Sequence, residues 1–80
     1  MATKEQVLKL IKKSTREIAY ELEDATLEPT DSLKGLGLNS VDRAEVLMMV
    51  MEELDLSVPL VELAGANNIG ELADLFVSKS

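Results

Sequence analysis

The sequence lacks cysteine, histidine and tryptophan, and it has a single phenylalanine and a single tyrosine. Without cysteine there is no disulfide, thiolate nucleophile or iron–sulfur ligand, and without histidine there is no Ser–His or Cys–His pair and no His-ligated zinc. The scarcity of aromatic rings also excludes a surface on which nucleic-acid bases stack. The chain has few of the side chains that commonly carry out catalysis, and we do not expect it to be an enzyme.

Long apolar segments are absent as well. The longest uninterrupted apolar run, Val46 to Met51, has six residues, whereas a membrane-spanning helix needs about 20. No apolar segment follows Met1, so we expect no secretion signal and predict a cytoplasmic protein without a membrane partner. With 80 residues, 46% of them hydrophobic and 29% charged, the chain fits one small domain over residues 1–80.

Charge is unevenly distributed along the chain. Residues 1–20 have five basic and two acidic side chains, a net charge of +3, whereas residues 21–80 have three basic and thirteen acidic ones, a net charge of −10. The basic end indicates either a solvated helix face or a nucleic-acid patch, but the acidic remainder would repel phosphates, so we predict a basic protein partner and no nucleic acid. No acidic run has the spacing of a calcium-binding loop, and no metal is expected.

Helical periodicity runs through most of the chain, and no useful stretch alternates as a strand would. The pattern Thr3-x-x-Gln6 is typical of a capping box and predicts a first helix. The apolar face of that helix would contain Val7, Leu8, Ile11, Ile18 and Leu22. Asn68-x-x-Glu71 likewise predicts the start of the last helix. The apolar face of this last helix would contain Ile69, Leu72, Ala73 and Phe76.

The middle of the chain is predicted to hold a long loop and two more helices. Residues 26–39 contain a proline, two glycines and several leucines, which indicates a connection pinned onto the core. A second helix should run from Ser40 to about Leu54, and a short third one from Pro59 to Ala64, ended by a left-handed Gly65. The predicted fold is all-α, a small four-helix bundle of three long helices and one short one, with a long loop between the first two.

The helix predicted from Ser40 has two apolar stripes. At about 100° per residue, the sequence separates them into Val46, Leu47, Val50 and Leu54 on one side, and Val41, Ala44, Met48 and Met51 on the other. One stripe must face the bundle. The other is either buried under the loop or the short third helix, or it is a docking surface, where methionines adapt to partners and flanking glutamates orient a basic one.

Ser40 lies where a glycine-containing loop meets a helix. Serine at such a position is commonly a cap, but Asn39 is itself a strong N-cap residue and would leave the Ser40 hydroxyl pointing outward at the first helical position. Free N–H groups and the helix dipole favour an attached phosphate there. Because no histidine is available as a base, Ser40 is a candidate for modification by another enzyme and a poor candidate for a catalytic nucleophile.

The segment Leu36-Gly37-Leu38-Asn39-Ser40-Val41 resembles the phosphopantetheine attachment motif of acyl carrier proteins, usually Leu-Gly-x-Asp-Ser-Leu. The resemblance extends over the whole chain, including Val58-Pro59 and the start of the last helix. It implies a carrier with 4′-phosphopantetheine attached covalently to Ser40 by a phosphopantetheinyl transferase.

The resemblance also implies a partner-binding face at the start of the second helix. Its expected members are Asn39, Val41, Asp42, Arg43, Ala44, Glu45, Met48 and Glu52. Asn39 departs from the usual Asp and removes a charge near the transferase's metal site. Arg43 is a base among acids, and it either pairs with an acid of the partner or remains a solvated side chain.

Within the family, the chain is similar to free-standing donor carriers of polyketide β-branching, including that of the curacin pathway. Acceptor carriers typically have a Trp six residues after the modified serine, where this chain has Val46. A donor would present acetyl to an HMG-CoA-synthase-like enzyme, and a ketosynthase-like decarboxylase or an acyltransferase is a further expected partner.

The chain begins at Met1 and ends just after the last predicted helix, which favours a free-standing protein, monomeric when alone. Within the family, the alternative is a general fatty-acid or polyketide carrier. Outside it, the alternative is a helical interaction module without a prosthetic group.

Overall fold

The computed structural model describes residues 2–80. Over these residues the chain forms three α-helices and two short 3₁₀ helices, and no β-strand. The α-helices are α1 (Lys4–Ile18), α2 (Ser40–Glu53) and α3 (Ile69–Lys79), and the 3₁₀ helices are Tyr20–Leu22 and Leu60–Leu63. The predicted all-helical class is confirmed.

The short third helix of the prediction is a 3₁₀ helix, so the count of four helices is not confirmed. Pro59 has an extended backbone, with φ −60° and ψ 138°, and its carbonyl accepts a hydrogen bond from Glu62 N at 3.0 Å. Such i→i+3 bonds have poorer geometry than α-helical ones and rarely extend beyond one turn. The prediction of a left-handed Gly65 is wrong, because the positive φ among the glycines of residues 2–80 belongs to Gly37.

Side-chain caps begin all three α-helices. Thr3 Oγ1 accepts a hydrogen bond from Gln6 N at 3.2 Å, and Gln6 Oε1 accepts one from Thr3 N at 3.0 Å, which confirms the capping box of α1. Asn39 and Asn68 cap α2 and α3, where each side-chain oxygen accepts from the backbone N–H three residues further on, at 2.8 Å and 2.7 Å. Each such cap contributes about 1 kcal/mol to stability.

One hydrophobic core lies between the helices, because α1 packs against both α2 and α3. Its fully buried side chains come from all three helices: Val7, Ile11, Val46, Val50, Ile69, Ala73 and Phe76. From the long loop, Leu33 and Leu38 join this core and Leu27 is buried, which confirms that the loop is pinned. Leu22 lies beyond the end of α1, in the 3₁₀ helix, but still packs against the core.

The N-terminus of α3 holds the middle of the long loop. Ile69 N and Gly70 N donate hydrogen bonds to Asp31 O and Pro29 O, each at 2.8 Å. Both amides belong to the first turn of the helix and have no acceptor within it. A Cβ on Gly70 would lie 3.2 Å from Pro29 O, so this close approach of two backbones favours glycine.

The last turn of α2 ends in a left-handed residue other than glycine. Asp55 has φ +51°, and hydrogen bonds run from Leu56 N to Met51 O at 2.8 Å and from Asp55 N to Glu52 O at 3.2 Å. This pair of bonds is a Schellman motif, which satisfies the last carbonyls of the helix and directs the chain away from it. A residue with a Cβ adopts this conformation at a cost of about 1 kcal/mol.

Candidate functional site

A tight turn in the long loop leads into α2. Gly37 has φ +98°, a conformation that favours glycine, and its N–H donates to Lys34 O at 3.0 Å. Leu38 N donates to Leu33 O at 3.1 Å, and the Leu38 side chain is only 3% exposed. The chain is therefore anchored in the core one residue before the cap, and this anchor fixes where α2 begins.

Ser40 is the first residue of α2, and it is exposed. Because Asn39 provides the cap, the Ser40 hydroxyl is not needed for that purpose. The carbonyl of Asn39 accepts from Arg43 N at 2.9 Å, so the N–H groups of Ser40 and Val41 lie ahead of the first intrahelical bond. These free donors and the helix dipole suit a negatively charged group on the Ser40 oxygen.

The other serines have different surroundings. Ser14 is buried within α1, Ser32 accepts a hydrogen bond inside the loop, and Ser78 donates one to a backbone carbonyl within α3. Ser57 and Ser80 lie outside the helices. Across residues 2–80, Ser40 is therefore the serine that presents its hydroxyl at the start of an α-helix.

Arg43 connects α2 back to the loop. Its Nη1 donates a hydrogen bond to Leu38 O at 2.8 Å, and the side chain is half-buried. Arg43 is therefore held by its own chain, and its pairing with an acid of a partner stays a prediction. The sequence pattern contains no signal for this contact, because it depends on the path of the loop.

A groove of about 600 Å³ opens beside Ser40. One wall is α2, with Ala44 and Leu47. The opposite wall is the second 3₁₀ helix, Leu60–Leu63, with Leu60 and Val61. Lys34 and Arg43 line the same groove. This groove was not predicted, although the small residues of the Ala64-Gly65-Ala66 segment, two of which line it, are a signal for open space next to the helix.

The second apolar stripe of α2 is mostly exposed. Val41 is 64% exposed and Met48 is 50% exposed, so neither the loop nor the 3₁₀ helix covers them. Ala44 is half-buried at the groove. Met51 departs from the prediction, because it lies four residues after Leu47, on the core-facing side, and is buried.

Acidic side chains accompany this exposed stripe. Glu45 and Glu52 are exposed and Asp42 is half-buried. Within residues 2–80, no cluster of acidic side chains is placed to hold a metal ion. In the same part of the chain, none of the helices has the length and apolar character needed to cross a membrane.

Three comparisons relate the chain to known proteins. A family model described as "Phosphopantetheine attachment site" matches residues 6–76. Among curated proteins, the polyketide biosynthesis acyl-carrier-protein AcpK of Bacillus subtilis (strain 168) is 42% identical over 76 residues, which cover 95% of this chain and 93% of that protein.

Among solved structures, the chain matches one from the crystal structure of the curacin biosynthetic pathway HMG synthase in complex with acetyl donor-ACP. The TM-score is 0.94 and the identity 72%, over 98% of this chain and 100% of that chain. Because the match spans the whole of the other chain, that chain is the small carrier of the complex and not the synthase.

Proposed function

Because the chain belongs to the phosphopantetheine attachment site family, we propose that Ser40 is the residue to which its prosthetic group is attached. Family membership makes the chain an acyl carrier protein, a carrier and not an enzyme, whose prosthetic group is 4′-phosphopantetheine. This membership argues against an interaction module without a prosthetic group. The position of Ser40, exposed at the start of α2 and relieved of capping by Asn39, is the observation that supports it as the site.

The surroundings of Ser40 fit a phosphate-linked arm. Ser40 is an exposed residue, the N–H groups of Ser40 and Val41 are free to face a phosphate, and a groove lies alongside. When bound, the arm supplies a thiol that holds an acyl group as a thioester. The chain itself presents the hydroxyl and needs no base, since the transferase activates it and supplies the group from coenzyme A.

Intact mass after incubation with coenzyme A and a broad-specificity phosphopantetheinyl transferase tests the site. The chain should gain the mass of one phosphopantetheinyl group, and Ser40→Ala should gain none while it keeps its fold, because alanine is well tolerated in a helix. Ser57→Ala is the matched control, since Ser57 is exposed but begins no helix, and it should load as well as the unaltered chain. A loaded Ser40→Ala protein would refute the assignment.

We further propose that the chain is a donor carrier in polyketide β-branching, presenting acetyl to an HMG-CoA-synthase-like enzyme. The 72% identity to the donor-ACP seen with an HMG synthase is the main support. Val46, at the position where acceptor carriers have a Trp, is fully buried in the core, and a Trp there would require repacking. A ketosynthase-like decarboxylase or an acyltransferase is the proposed partner for loading.

The proposed partner face is the exposed side of α2 next to Ser40. It consists of Asn39, Val41, Asp42, Arg43, Ala44, Glu45, Met48 and Glu52. Exposed apolar side chains at its centre offer area to bury, and the acids around them steer a basic surface into place. We propose a single carrier domain that acts as a monomer in the cytoplasm, where coenzyme A is available.

A general fatty-acid or polyketide carrier is the alternative. To separate the two, acetyl-loaded protein is mixed with a β-branching HMG synthase, with a fatty-acid carrier loaded in the same way as the control. Faster acetyl transfer from this chain supports the donor role. Equal transfer from both carriers would leave only the general carrier function.

A further inference from the structure

We infer that Arg43 binds the phosphate of the arm once Ser40 is modified, and that it thereby directs the arm along the groove. This inference rests on the proposed attachment at Ser40. It concerns the chain's own guanidinium, whose position is set before any arm is attached.

The Arg43 side chain extends back towards the start of α2. Residues three apart on a helix are neighbours on its surface, and helical side chains point towards the N-terminus. Arg43 lies three residues after Ser40 and its guanidinium extends back to the carbonyl of Leu38, 2.8 Å from Nη1. Arg43 and Ser40 line the same groove. An arm attached to Ser40 would therefore begin in the groove that Arg43 lines.

The Arg43 guanidinium retains N–H donors that can bind a further group. The structure records one hydrogen bond for this guanidinium across residues 2–80 and no carboxylate within ion-pair distance of it. Arginine has several further N–H donors in a planar fork that matches a phosphate. Bonds between arginine and phosphate are charge-assisted and often bidentate.

The Arg43 side chain is also preorganised for binding. A free arginine loses rotamer freedom when it binds a ligand, but the bond to Leu38 already restrains Arg43. Half-burial of the side chain also strengthens its attraction to a charge that sits beside it. Lys34 lines the same groove but is exposed, so solvent screens it.

Phosphorus NMR of the loaded protein tests the inference. The unaltered chain, Arg43→Gln and Lys34→Gln are loaded, and intact mass confirms modification before any spectrum is recorded. The phosphodiester resonance of the unaltered chain should differ from its position in urea. Arg43→Gln should move the resonance most of the way to the urea position, whereas Lys34→Gln should leave it unchanged.

A second measurement separates phosphate binding from a merely structural brace. The Arg43 side-chain N–H resonances of the unaltered chain are compared before and after loading. Phosphate binding predicts a clear shift of these resonances, whereas a hydrogen bond to Leu38 alone predicts none. The inference is overturned if loading leaves those resonances unchanged, or if Arg43→Gln and Lys34→Gln affect the phosphorus resonance equally. Absence of any mass gain would instead refute the attachment at Ser40.

Discussion

Lys79 Nζ lies 2.7 Å from Glu62 Oε1, and this ion pair joins the last turn of α3 to the 3₁₀ helix that forms the outer wall of the groove. The buried Leu63 also connects this wall to the core. Both charged side chains are partly exposed, so the pair is a modest constraint on a short element.

Removal of this ion pair should loosen the wall without unfolding the protein. Lys79→Ala is expected to lower the free energy of unfolding by less than about 1 kcal/mol. It should speed amide hydrogen exchange of Glu62 and Ala64, which hold the 3₁₀ helix together, more than exchange in α1. Lys9→Ala, which breaks the weaker pair with Glu5, is the control and should leave the wall unchanged.

Gly70→Ala should destabilise the fold, because the new Cβ would lie 3.2 Å from Pro29 O and 3.3 Å from Pro29 Cβ. We expect a loss of about 1 kcal/mol in the free energy of unfolding, since overpacking outweighs the better helix propensity of alanine. Gly65→Ala is the matched control, as its Cβ would meet open space, and it should be neutral or stabilising. Urea denaturation measures both, and equal effects would contradict the close approach of loop and α3.

Asp55 offers a test of the left-handed end of α2. Asp55→Gly should raise the free energy of unfolding by about 0.5 kcal/mol, because it relieves the backbone strain and removes an acid from a helix C-terminus. Asp55→Val should lower it by about 1 kcal/mol, since a β-branched residue fits φ +51° poorly. Thermal unfolding of the two Asp55 variants measures both changes. A Val variant more stable than the unaltered chain would rule out backbone strain at this position.

Charge reversal on α2 should slow transfer to partner enzymes. Glu45→Lys or Glu52→Lys is expected to reduce the rate about fivefold at low salt, equivalent to roughly 1 kcal/mol, and less at high salt, where charges on the rim are screened. Lys9→Glu on the basic α1 should have little effect. The measurement is the initial rate of acyl transfer at two salt concentrations, and similar losses from both helices would argue against the partner face.

Local features of the chain could be predicted from the sequence, and long-range ones could not. The caps at Thr3, Asn39 and Asn68 depend on residues three positions apart, and the core faces depend on helical spacing. Both can therefore be predicted from a single sequence. The position of Ser40 followed from such rules together with a family motif.

The features that were missed depend on segments distant in sequence. Met51 was assigned to the wrong side because its angular position on the helix lies between the two stripes, and only packing against the core decides to which stripe it belongs. The left-handed glycine is Gly37 and not Gly65 because the loop, and not the 3₁₀ helix, must reverse there. The groove forms between α2 and residues 60–68, which are distant in sequence. The bond from Arg43 to Leu38 depends on the course of the loop, whose Pro29 and Asp31 are held by the first turn of α3.

That dependence on α3 sets an order of events during synthesis. The loop that leads to Ser40 is held by the amides of Ile69 and Gly70, and the core beneath it includes Phe76, so these partners are translated long after the serine. A nascent chain whose Ser40 has already left the ribosome still lacks the helix that gives the loop its course. Ser40 therefore acquires its native setting only after residues 69–79 have emerged from the ribosome. A transferase that recognises that setting should modify the folded chain and not the nascent one.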